Sequence, residues 1–216
     1  MATIIERFTK IKSKISLINP ENPAEIIAVS KTFSLDYIRP LIEYGHLHFG
    51  ENKVQEAISK WKLFKKENQG LKLHMIGKLQ SNKAKSAVEL FDYIHSLDNP
   101  KLADILSKCE KNNGRKLKYF IQVNIGNELN ISGIPANELD GFYNYCVNEN
   151  NLEIIGLMVI PPNDNEPKKY FKSLSDYNKA LALKDLSMGM SADYEIAIEY
   201  GATFVRIGSS IFGSRL

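Results

Sequence analysis

The first apolar run of the chain ends on a lysine. In "EIIAVSK", Glu25 to Lys31, four apolar residues and a serine lead directly into an ammonium group. A primary amine at the rim of a mostly apolar strand has its charged form disfavoured. Its free form then becomes available for a Schiff base with a carbonyl. Taken alone, a lysine that has simply reached solvent at a strand end is the better reading. Two later segments carry a different chemistry. "SMGMSADYEIAI", Ser187 to Ile198, offers Gly189 for close backbone approach and Ser191 as a helix cap with a spare hydroxyl. "VRIGSSIFGSR", Val205 to Arg215, opens another short helix with Gly208, Ser209 and Ser210. Exposed N–H groups at a helix start suit an anion. Each segment alone is an ordinary Gly/Ser cap; as a pair they point to a phosphate. Arg206 stands in an otherwise apolar strand, one residue before the second turn. A guanidinium is costly to bury unpartnered. Either an internal carboxylate or the ring nitrogen of a bound cofactor is expected to meet it.

The elements that position these groups repeat as one strand, one helix. Strands are expected at Ile26–Ser30, Leu47–Phe49, Leu73–Ile76, Tyr93–His95, Tyr119–Asn124, Ile154–Val159, Leu186–Met188 and Thr203–Ile207. Between them, apolar residues recur at helical offsets, as at Val54, Ala57, Ile58 and Trp61, and at Leu102, Ile105, Leu106 and Cys109. Asn99 followed by Pro100 reads as an N-cap and first helical residue, Gly114 as a C-terminal stop, and Ser34 as another cap. Eight strands alternating with helices imply parallel βαβ units. The expected fold is α/β: a single (β/α)8 barrel over residues 1–216, with an extra helix at residues 2–18 covering its bottom or side. An open doubly wound sheet is the runner-up. In a barrel, active residues gather at the C-terminal ends of the strands, and phosphate is often held after strands seven and eight. Lys31, Ser191, Arg206, Gly208 and Ser209 all fall there.

Composition narrows the function classes. The chain has 216 residues, is 44% apolar and carries a net charge of +3. No apolar run approaches the roughly 20 residues of a membrane span. The N-terminal segment lacks the compact apolar run and cleavage site of a signal peptide, so a cytoplasmic location is expected. Lysines are scattered over helix faces without a basic, aromatic-laced stripe, so no nucleic-acid partner is expected. Cys109 and Cys146 read as reduced thiols on helix stripes. His46 and His48 point the same way along a strand but lack a third ligand, so no metal is expected. His74 and His95 read as hydrogen-bonded interior residues.

A lysine on one side of a barrel mouth, phosphate donors on the other and an arginine nearby would cradle pyridoxal 5′-phosphate (PLP). The same set fits a Schiff-base aldolase acting on a phosphosugar. The motifs "AVSKTFSLDYI", "HFGENKVQEAISKW", "HMIGKLQSNKAK", "IHSLDNPKLA", "LEIIGLMVIPP", "LSMGMSADYEIAI" and "GATFVRIGSSIFGSR" add a resemblance. In order, they are similar to the blocks of the pyridoxal phosphate homeostasis protein family, over about Ile26 to Arg215. The resemblance implies a barrel of the alanine racemase N-terminal-domain type that binds PLP. By motif position, Lys31 would form the Schiff base and Arg206 would face the pyridine nitrogen. Ser191, Gly208 and Ser209 would hold the phosphate. Asn52 would lie near the ring, with Met75 and Met158 lining the pocket. One departure stands out: "GNELNISG", Gly126 to Gly133, has Ile131 where the family usually shows a second lysine.

The resemblance implies a carrier or buffer of PLP in intracellular homeostasis, not an enzyme, able to hand the cofactor to PLP-dependent apo-enzymes. A small PLP-dependent enzyme such as an amino-acid racemase is the alternative. An arginine at the ring nitrogen leaves a shallow electron sink. The second, β-rich domain that supplies a racemase with its tyrosine base has no counterpart in these residues. A monomer is expected.

Overall fold

The computed structural model describes residues 2–126, 132–164 and 166–213; Ile131 lies outside them. Among the described residues nine strands form in chain order: β1 (Glu25–Val29), β2 (His48–Glu51), β3 (Lys72–Met75), β4 (Tyr93–Leu97), β5 (Lys118–Asn124), β6 (Ile134–Pro135), β7 (Glu153–Met158), β8 (Asp185–Met190) and β9 (Phe204–Ile207). All pair in parallel. The order runs β4-β3-β2-β1-β9-β8-β7-β5, and β4 also pairs with β5, closing a barrel of eight strands. The short β6 is appended to β5 and was not expected. Two residues are too few to show any periodicity.

Helices fill the crossovers: α1 (Ile4–Ile18), α2 (Leu35–Glu43), α3 (Val54–Glu67), α4 (Ala84–Leu90), α5 (Pro100–Asn113), α6 (Leu139–Asn144), α7 (Pro167–Ala180), α8 (Tyr194–Glu199) and α9 (Ser209–Phe212). Their ends follow side-chain chemistry. Asn99 accepts from the Leu102 N–H, Pro100 opens α5, and Gly114 closes it in the left-handed conformation. Ser34 caps α2 through the Tyr37 N–H. Thr3 and Glu6 form a reciprocal capping box on α1. That helix packs against α2, α8 and α9 on the side of the barrel, where Arg7 Nε donates to Ile211 O at 2.6 Å. Beyond α6 the helix widens into a π turn, Tyr145–Glu149, that buries Cys146.

Strand alternation splits the apolar residues into two layers. Ala28, Phe49, Leu73, Ile94, Leu157 and Val205 face outward and pack on helix residues such as Ile38, Leu41, Trp61, Leu106 and Phe171. Ile27, Phe120 and Met158 are buried but stand outside that cluster. Phe120 instead meets Phe204 and His95 inside the barrel, at 5.6 and 4.3 Å between ring centroids. The interior is a packed plug of aromatic and imidazole rings, and the space for a ligand lies above it. Among the described residues no helix is long and apolar enough to cross a membrane.

Candidate functional site

Lys31 sits two residues past the end of β1, in a tight turn closed by the Phe33 N–H donating to Ser30 O at 3.1 Å. The turn puts Thr32 at φ +71°. That is a left-handed conformation for a β-branched residue, so the backbone beside the lysine is strained.

The stem of the turn is pinned from below by Glu51 at the end of β2. Glu51 is fully buried, and its Oε1 accepts from Ser30 Oγ at 2.7 Å, Lys60 Nζ at 2.8 Å and Trp61 Nε1 at 2.9 Å. Lys60 Nζ also donates to Ser30 O at 2.7 Å. Sequence reasoning missed this cluster. A glutamate at a strand end and a lysine on a helix each read as solvated, and only the fold brings them onto the residue preceding Lys31.

Ser191 lies across the mouth, after β8. It was expected to cap α8. Instead Asp193 takes the cap position and folds back, its Oδ1 accepting from the Met190 N–H at 2.6 Å. The Ser191 hydroxyl spans to the next loop, where the Gly208 and Ser210 N–H groups donate to it over long distances of 3.4 Å. One hydroxyl and the amides that open α9 thus converge on one spot, a donor set suited to an anion. Gly189 serves helix packing rather than a ligand. At φ +88°, a Cβ there would fall 2.6 Å from that of Ala197 in α8.

Arg206 in β9 is 5% exposed. Its partners are neutral: Nη1 donates to Ser187 O at 2.7 Å and to Ser187 Oγ at 2.8 Å, and Nη2 to Val159 O at 2.8 Å. Among the described residues, no carboxylate is a hydrogen-bond partner of Arg206. Burial brings its pKa down to about 10, against a weak opposing pull from Asp193.

These groups open into one cavity of about 520 Å³. Lys31, Asn52, Ser191, Arg206, Gly208 and Ser209 all line it, with Val29, Ile76, Ile160 and Met190 as apolar walls. Met75 is not among the lining residues. Its neighbour His74 reaches inward, so alternation sends Met75 into the helix-facing core, and Ile76 takes the cavity position. Met158, level with Ser187 and fully buried, does not line the cavity either. Gly77 lets the loops after β2 and β3 touch, since a Cβ there would fall 2.4 Å from Asn52 O. Asn52 Oδ1 is buried without a hydrogen-bond partner among the described residues, an acceptor open to a ligand. A larger groove of about 720 Å³ runs beside the site, between Thr32, Gln55 and Lys60; neither Lys31 nor Arg206 lines it.

Comparison with known proteins shows the family. The family model described as alanine racemase, N-terminal domain, matches residues 4–216. The pyridoxal phosphate homeostasis protein of Aquifex aeolicus is 37% identical over 224 residues, covering 100% of this chain and 96% of that protein. The protein of the same name from Escherichia coli is 36% identical, covering 100% and 98%. Among solved structures, PipY of Synechococcus elongatus with PLP bound superposes at TM-score 0.88 with 36% identity, over 98% of this chain and 100% of that one. The chain belongs to the pyridoxal phosphate homeostasis protein family, on the alanine racemase N-terminal-domain barrel.

Proposed function

We propose that this protein binds pyridoxal 5′-phosphate and acts in its intracellular homeostasis, as a carrier or buffer rather than a catalyst. The observation that carries this reading is the joint lining of one cavity by an amine, a guanidinium and a set of anion donors. The relatives' name and the PLP-bound relative support it.

When bound, the cofactor supplies an aldehyde that condenses with a primary amine and a ring that withdraws electrons. Lys31 is the amine placed to hold the aldehyde carbon, within a strained turn that limits its sweep. Ser191, Gly208 and Ser209 hold the phosphate. Arg206 meets the pyridine nitrogen as a donor that does not readily give up its proton. Asn52 borders the ring.

Racemisation needs a proton-exchanging group on each face of the substrate. Among the described lining residues, Lys31 and Arg206 are the ionisable side chains, and Arg206 has donors committed to Ser187 and Val159. This supports retention and release over turnover, with PLP-dependent apo-enzymes as recipients.

Purified protein mixed with PLP is expected to develop a visible absorption band. Borohydride reduction followed by peptide mass spectrometry is expected to place the adduct on Lys31, and Lys31→Ala to abolish both signals. An adduct elsewhere, or PLP-dependent racemisation of an amino acid by the pure protein, overturns the reading.

A further inference from the structure

Below Arg206 three buried imidazoles form one file. Ser187 Oγ, which accepts from Arg206 Nη1, lies 2.8 Å from His95 Nδ1. His95 Nε2 is 2.9 Å from His74 Nδ1, and His74 Nε2 is 2.9 Å from His48 Nδ1. His74 and His95 are fully buried. His48, half-buried, ends the file beside a cavity of about 240 Å³ that Lys12 and Glu25 also line. The file therefore climbs the barrel interior, from the N-terminal ends of the strands to the guanidinium.

Hydrogen counting gives the file a direction. A neutral imidazole carries one N–H, so each junction takes its proton from one side only. Burial holds His74 and His95 well below the ordinary histidine pKa, and the charge of Arg206 adds to this at His95, so both rings are neutral. Two orderings remain. In one, His95 Nδ1–H donates to Ser187 Oγ. That oxygen then takes two donors, and its own hydrogen has no acceptor among the described hydrogen bonds, in a fully buried place. In the other, Ser187 Oγ–H donates to His95 Nδ1, His95 Nε2–H to His74 Nδ1, and His74 Nε2–H to His48 Nδ1. Every buried group is then paired.

We propose that His95 and His74, acting through Ser187, are positioning residues that fix Arg206 as the donor aimed at the cofactor ring, both rings held as Nε2–H tautomers. In the paired ordering every hydrogen points away from Arg206 and every lone pair towards it. The aligned dipoles stabilise the buried guanidinium as a carboxylate would, without neutralising its charge. The cofactor half of this proposal rests on the PLP reading of the site; the tautomers do not.

The test has two arms. Long-range proton–nitrogen NMR of the PLP-free protein, labelled at histidine, reads the tautomer of each ring. Nε2–H at His95 and His74 is expected, and Nδ1–H at His95 overturns the ordering. With PLP added, Ser187→Ala is expected to shift the visible band and speed cofactor loss several-fold, and Ser187→Thr to restore both. An Ala variant with the parent band and release rate overturns the positioning role. Failure of the parent to bind PLP at all refutes the functional reading while leaving the tautomer result standing.

Discussion

Ser30 Oγ and Glu51 Oε1 meet at 2.7 Å in a place where neither residue has any exposure. Ser30 is the last residue before Lys31, and Glu51 ends the neighbouring strand. The contact therefore ties Lys31 to the barrel frame through the adjacent residue. Lys60, whose side chain is 11% exposed, closes the network by donating to both Glu51 Oε1 and Ser30 O. A buried ion pair is retained here at the stem of the site, where it fixes geometry and not merely charge.

Removing one partner of such a pair strands the other. Glu51→Ala leaves the Lys60 ammonium without its counter-charge and the Trp61 N–H without its acceptor in a dry setting. It is expected to lower the unfolding free energy by about 3–5 kcal/mol. Glu51→Gln keeps the shape and one acceptor oxygen and is expected to cost less. Urea unfolding of the three proteins checks this, and an Ala variant with an unchanged midpoint contradicts it.

Thr32 holds φ +71° beside Lys31. Strain of this kind costs of order 1–3 kcal/mol, part of which a glycine would give back as unfolded-state entropy. Thr32→Gly is therefore expected to raise Tm by about 2–4 °C per kcal/mol relieved. The same change loosens the turn, so cofactor exchange on Lys31 is expected to quicken. A lower Tm in the glycine variant would show that Thr32 side-chain contacts outweigh the strain.

Ser191 ties two loops together through one hydroxyl. Ser191→Ala removes one donor to a bound phosphate and the acceptor of two amides. Affinity for PLP is expected to fall by about 0.5–1.5 kcal/mol, roughly two- to tenfold, with the Lys31 adduct still formed. Fluorescence titration measures it, and Ser191→Thr is expected to recover most of the loss.

The barrel was legible because short apolar runs alternate with segments of helical periodicity, two of them marked by the caps Ser34 and Asn99. All eight expected runs overlap the observed strands. The convergence of the loops after β8 and β9 on one cavity was legible because Gly and Ser recur at both. Strand parity was the weak point. Met75 and Ile76 are both apolar residues at a strand end, and only the inward reach of His74 decides which faces the ligand. Ser191 was expected to cap α8 because a serine precedes the helix, but Asp193, two residues on, takes the cap position, and only geometry shows this. His46 and His48 were expected to point the same way along a strand, but β2 begins only at His48. His46 packs on Phe8 and Phe49 on the helix side, while His48 turns inward to His74. Barrel closure then brings His48, His74, His95 and Ser187 into one file.

His46 gives the fold a pH dependence with a definite sign. It packs between Phe8 and Phe49, at ring distances of 4.8 and 5.3 Å, and Nε2 contacts His48 O at 2.8 Å. Burial lowers its pKa from 6.5 to about 4, the hydrogen bond to His48 O opposing only in part. The folded state thus binds a proton more weakly than the unfolded chain. The stability this contributes is fully present above pH 6.5 and is lost as pH falls towards 4, where both states are protonated. The shift corresponds to about 3 kcal/mol, and the lowered values of His74 and His95 act in the same direction. Urea unfolding from pH 7.5 to 4.5 is expected to show this decline. His46→Gln, which cannot take up the proton, is expected to flatten it. A His46→Gln variant with the parent's slope would place the sensitivity on the buried pair His74 and His95 instead, and the double change His74→Gln/His95→Gln would then remove it.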